Sequence, residues 1–193
     1  MLSAAEVAAF EKNGFIALRG AVPPDLVEQC ATEIWQATGS DRDDPSTWTQ
    51  PVVRLWGFAT APFVQAANGE VLTTAFNQLV GDGAWSPRTS LGTIPVRFPH
   101  PDEPGDDGWH IEASFADENG EMSVDLGSRG RALLMLFLFS DVSDADAPTR
   151  IRVGSHTTEH NPDSWRNLRS STTSRWTSIR PTRRPSSEPY SRA

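Results

Sequence analysis

A chain of 193 residues, 37% hydrophobic and 22% charged, is long enough for one domain with a substantial core. Its net charge of −8 argues against a general affinity for nucleic acid or anionic lipid. The single cysteine, Cys30, leaves no means of building a disulfide framework or a cysteine-based zinc site.

The charge is unevenly spread. Residues 1–156 carry 10 Lys+Arg against 22 Asp+Glu, whereas residues 157–193 carry 7 against 3. The chain therefore divides into a main part, 1–156, and an Arg/Ser/Thr/Pro-rich tail, 157–193, whose composition cannot readily bury a core. The longest apolar run, "ALLMLFLF" at 132–139, is too short to span a membrane and suits a buried strand. The start, "MLSAAEVAAFEKNG", lacks the basic region and long apolar stretch of a secretion signal, so a cytoplasmic protein is expected.

In chain order, Ser3 to Glu6 reads as a capping box that opens a short helix ending at Asn13-Gly14. "FIALRG" at 15–20 predicts a strand. A second helix follows in "PPDLVEQCATEIWQATG", where Leu26, Val27, Cys30, Ala31, Ile34 and Trp35 recur at spacings of three and four. That pattern puts Cys30 in the core. After a Pro- and Trp-containing connection, "NGEVLTTAFNQLVGDG" predicts a further helix with Asn68 as N-cap and Val71, Leu72, Ala75, Phe76, Leu79 and Val80 on one face.

From about residue 89 the period shortens. "TSLGTIPVRF", "GWHIEASF", "RALLMLFLFSDV" and "TRIRVGSH" are β-prone runs separated by Gly, Pro and Asp, which together predict a sandwich, barrel or jelly roll with the helices packed outside. In the second run His110 and Glu112 share one face of a strand, where they either ligate a metal or meet water. His156, closing the last run 46 positions after His110, completes a candidate set of two imidazoles and a carboxylate. Such a facial triad leaves three positions open on non-haem Fe(II), although zinc accepts the same donors. His160 lies in the irregular tail and His100 between two prolines, so both read as loop residues. Asp102, Glu103, Asp106 and Asp107 read as a solvated acidic loop. Trp109, Ile111, Phe115 and the 132–139 run are placed to wall a site, but core packing is the better explanation for each.

Three stretches together carry a resemblance: "EVAAFEKNGFIALRGAVPPDLVEQC", "GWHIEASF" and "SDVSDADAPTRIRVGSH". In order and context they resemble the phytanoyl-CoA dioxygenase family, over roughly residues 3–156. The resemblance implies a double-stranded β-helix (a cupin-like jelly roll) that binds Fe(II) and uses 2-oxoglutarate and dioxygen to hydroxylate a small organic molecule. It makes His110, Glu112 and His156 the metal ligands, with Glu112 in place of the more usual aspartate.

The family also implies an arginine shortly after the distal histidine to hold the far carboxylate of 2-oxoglutarate. Arg166, ten positions after His156, is the first candidate and Arg97, in "PVRF", the second; Arg169 is three positions beyond Arg166. The segment around Arg166 shows no strand alternation, so the closing strand reads as altered or missing. A tail of this composition starting directly after a family motif matches translation in a shifted frame of a GC-rich gene. Two other readings stay open on the residues alone. One is a catalytically impaired relative that keeps the fold and a metal; the other is a cupin-like metal-dependent hydrolase or isomerase. The frame-shift expectation is checked in the nucleotide sequence, which should encode a family-like C-terminus in another frame; a packed closing strand within 157–175 would contradict it.

Overall fold

The computed structural model describes residues 1–105, 115–116, 122–123 and 133–158, with only the backbone described for 115–116, 122–123 and 157–158. The expectations for Asp106, Asp107, Trp109, His110, Ile111, Glu112, His160, Arg166, Arg169 and the rest of the tail lie outside these residues.

The first helix, α1 (Ala4–Asn13), starts as its sequence predicts. The Ser3 hydroxyl accepts the Glu6 N–H at 3.3 Å, while the Glu6 carboxylate accepts from the Ser3 N–H and hydroxyl at 2.8 Å each. These bonds, the Ser3 backbone first, hold the Glu6 carboxyl below its ordinary pKa. Gly14 ends the helix in the left-handed conformation, φ 83°, with its N–H bonded to the Phe10 carbonyl. No residue of α1 is buried. Its entry is held instead by Leu2, whose N–H and carbonyl both bond the Gln78 side-chain amide, at 2.7 and 2.9 Å.

Residues 15–20 do not form the predicted strand: the chain runs without ladder pairing and turns at Gly20, φ 66°. An apolar run becomes a strand only where a neighbour pairs with it, and among the described residues none does. The second helix, α2 (Pro24–Thr38), has proline at its first position and a left-handed Gly39 after its last, and it buries Leu26, Cys30, Ala31 and Ile34 as the spacing predicts.

The Pro- and Trp-containing connection holds more structure than its composition suggests. A 3₁₀ turn at Pro45–Thr47 is capped by the Asp44 carboxylate, and β1 (Val52–Leu55) follows. A third helix, α3 (Ala61–Ala67), buries Phe63, Ala66 and Ala67. Asn68 is therefore not the N-cap of the next helix, α4 (Glu70–Val80), which begins at Gly69. Asn68 ends α3. Its amide donates to the Val64 and Arg88 carbonyls at 2.7 and 2.8 Å and accepts the Arg88 N–H at 2.9 Å, fixing the loop after α4. An asparagine between two short helices can serve either one, and one bond to α3 together with two to Arg88 outweighs a single cap bond.

β2 (Ile94–Arg97) pairs antiparallel with β1, Val52 opposite Arg97 and Leu55 opposite Ile94. The bonds Phe98 N–H to Pro51 O and Leu91 N–H to Phe58 O continue the contact at both ends. A second antiparallel pair joins β3 (Phe115–Ala116) to β4 (Met122–Ser123).

Two other predicted strands are not strands here. Residues 133–140 are unpaired among the described residues, yet their exposure alternates with period two. Leu134, Leu136 and Leu138 face out at 57, 38 and 42% exposure, while Phe137 and Phe139 stack on the inner side, so "ALLMLFLF" is half buried instead of enclosed. The run ending in His156 turns at Gly154, φ 75°, where the Ser155 N–H meets the Arg152 carbonyl, and continues as one helical turn, α5 (Ser155–Thr158). A left-handed glycine cannot continue an extended strand, which is why the period-two reading fails there.

The core lies where α2 and α3 cover the β1–β2 pair. Leu26, Cys30, Ile34, Phe63 and Ala66 form its buried centre, with Leu55, Ile94, Val96 and Phe139 packed around it. Phe63 is wholly buried between Phe58 and Phe139, at ring distances of 4.5 and 5.7 Å. A Phe63→Ala change should cost about 3–5 kcal/mol in urea unfolding. Because the folded-state pKa of Glu6 lies below the unfolded value, its capping contribution is present above the unfolded value and lost as pH falls through the lowered folded-state value. Glu6→Gln should flatten that acid-side dependence of α1 helicity, measured by circular dichroism.

Candidate metal centre

Of the three predicted ligands, His156 is the one within the described residues. The Gly-Ser-His turn is placed by its glycine: left-handed Gly154 donates its N–H to the Asn13 carbonyl at the end of α1, at 2.8 Å. That bond brings His156 against the same helix end. Its Nε2 lies 2.9 Å from the Glu11 carbonyl oxygen, and Gly14 packs against the ring so closely that a Cβ there would overlap Nδ1.

A carbonyl can only accept, so Nε2 carries the hydrogen in this contact, and a neutral ring then keeps its lone pair on Nδ1. A histidine that donates one ring N–H to a backbone carbonyl and ligates through the other nitrogen is a common arrangement at metal sites. The donor types of His110, Glu112 and His156 fit Fe(II), and with Nε2 bonded to the Glu11 carbonyl, Nδ1 is the nitrogen of His156 that would ligate. Among the described residues no group of three His, Cys, Asp or Glu side chains is arranged to hold a metal ion.

Arg97 ends β2, half-buried, opposite Val52. It stands on a paired strand beside the core. His100 sits in the loop after β2, as the prolines on either side imply; its Nδ1 accepts the Asp102 N–H at 3.1 Å, and the Asp102 carboxylate lies 3.8 Å away. Asp102 and Glu103 are exposed.

Three arrangements in the structure have no local signature in the sequence. The docking of Gly154 and His156 on α1 joins positions more than 140 residues apart, which no local spacing reveals. Trp35, Trp48 and Phe98 form an aromatic triangle with centroids 5.5–6.0 Å apart, and the Trp48 indole N–H bonds the Asp41 carbonyl. Beside Trp35, at the C-terminal end of α2, lies an open depression of about 380 Å³. Its charged residues are Asp41 and Arg42, and Arg42 is paired with Glu28 at 2.9 Å.

Cys30 takes no part in a site. It is fully buried, and that burial, with the Glu33 charge adding to it, pushes its thiol up to about 11. Its native-state reaction with a thiol reagent at pH 8 should be negligible and appear only on unfolding. Gly154→Ala should destabilise the protein by about 1–2 kcal/mol through the left-handed backbone alone, read by chemical denaturation. No protein-family model, curated protein or solved structure matches this chain.

Proposed function

We propose that this chain is an Fe(II)- and 2-oxoglutarate-dependent dioxygenase of the phytanoyl-CoA dioxygenase type, built on a double-stranded β-helix and hydroxylating a small organic substrate. The observation that carries the proposal is the pairing of two motifs in their family context: His110-x-Glu112, and Gly154-Ser155-His156 after an Asp-containing, Pro-terminated turn. The left-handed backbone at Gly154 supports it, because it gives the glycine of the second motif a conformational reason. Iron(II) with a chelated 2-oxo acid supplies the oxidation when bound; His110, Glu112 and His156 are its proposed ligands.

The protein's own part is orientation and exclusion of water. Arg97 and Arg166 are the candidates to grip the far carboxylate of the keto acid, a task suited to a planar guanidinium. The proposed setting is the cytoplasm. No described helix is long and apolar enough to cross a membrane, which is compatible with that setting.

A second reading is favoured by one specific observation: the segment around Arg166 shows no strand alternation. In that reading the chain is a relative that keeps the fold without turning over. Metal binding separates the two. Purified protein should bind one Fe(II) per chain in anaerobic equilibrium dialysis, and His110→Ala, Glu112→Ala and His156→Ala should each lose that binding while staying folded. Wild-type affinity in all three variants would refute the ligand assignment. With metal and 2-oxoglutarate bound, succinate release should depend on Arg97 or Arg166; Ala variants at both positions with unaltered release would remove them as co-substrate contacts.

A further inference from the structure

The depression beside Trp35 is built from one face of α2 and the loop that leaves it. Thr32, Trp35 and Gln36 stand three and four positions apart, so they share a face at the C-terminal end of the helix. Left-handed Gly39, φ 72°, turns the chain, and Ser40, Asp41 and Arg42 complete the lining.

Both parts are held in place by the protein itself. The Trp35 ring lies 6.0 Å from Trp48 and 5.7 Å from Phe98. The Thr38 hydroxyl donates to the Trp35 carbonyl at 2.7 Å and accepts the Ser40 N–H at 3.1 Å. The Asp41 N–H donates to the Thr47 hydroxyl at 2.9 Å, and the Asp41 carbonyl accepts the Trp48 indole N–H at 2.7 Å. A ligand therefore finds little left to order. The Thr32 hydroxyl and the Gln36 side-chain amide, both exposed, make no hydrogen bond among the described residues. One Asp41 carboxylate oxygen accepts the Asp43 N–H at 2.9 Å, which leaves its other oxygen to accept.

This lining selects the chemistry of its ligand. An anion would meet the Asp41 carboxylate, while Arg42 is already paired with Glu28 at 2.9 Å. A cation would meet Arg42. A wholly apolar molecule would strip water from Thr32, Gln36 and Asp41 without replacing the hydrogen bonds lost. What fits is a neutral molecule with an apolar face for Trp35 and hydroxyls at its edge, each able to donate and to accept. The volume of about 380 Å³ is near the lower end for ligand sites, which suits a single ring. We infer that this depression binds a pyranose sugar, with the C–H face of the ring on Trp35 and its hydroxyls bonded by Thr32, Gln36 and Asp41. The inference uses none of the residues of the candidate metal centre and stands independently of the oxygenase reading.

The test is a titration of the isotope-labelled full chain with methyl β-D-glucopyranoside and with its galacto and manno epimers, followed by NMR of the N–H groups. At least one of the three should shift the Trp35 indole N–H and the Gly39–Arg42 amides saturably, in the millimolar range. Gln36→Ala and Asp41→Asn should each weaken that binding by about fivefold. Gln36→Ala, at an exposed helix position, carries the test alone if Asp41→Asn disturbs the loop. No saturable shift with any of the three sugars, or binding that Gln36→Ala leaves unchanged, would overturn the site. Tetramethylammonium or sulfate shifting the same N–H groups at lower concentration than every sugar would overturn the assignment to a neutral ligand.

Discussion

The burial of Phe63 is the constraint on which most of the described structure depends. Its ring meets Phe58 on one side and Phe139 on the other, and its neighbours Leu26, Cys30 and Ile34 belong to the apolar stripe of α2. One side chain thus joins a helix, the chain leading into that helix and a segment more than 70 residues later. Burial of an aromatic ring of this size contributes about 2–3 kcal/mol, and its removal leaves a cavity that the surrounding backbone cannot fill. Through Leu55, Ile94 and Val96 the same cluster anchors the β1–β2 pair, and with it Arg97.

α1 is held by a different kind of force. Where α2 and α3 are fixed by non-directional apolar contact, α1 is fixed at both ends by directional bonds: Gln78 to Leu2 at the start, Gly154 and His156 at the finish. A helix held in this way can be released by changing one side chain's partner without opening the core.

Elements that depend on near neighbours in sequence were legible in advance. The Ser3–Glu6 capping box, the 3,4-spaced stripe of α2 and the buried Cys30 are local patterns, and each stands where its residues put it. Elements that depend on a distant partner were not. "FIALRG" has the composition of a strand without a paired neighbour among the described residues, and α3 was hidden because seven residues starting Ala-Pro hold barely two turns of pattern. Asn68 was assigned to the wrong helix because its side chain answers to Arg88, twenty residues away. At the candidate site the sequence identified donor types, and Gly154 proved to have a backbone reason. The docking of His156 on α1 came from long-range geometry alone.

On the proposed reading, His110, Glu112 and His156 hold an iron that chelates a 2-oxo acid. It is tested most directly by adding Fe(II) and then 2-oxoglutarate to the protein under anaerobic conditions and recording the visible spectrum. A metal-to-ligand charge-transfer band should develop in the wild type and be absent from His110→Ala. Folded protein that binds iron but develops no such band with 2-oxoglutarate would contradict it.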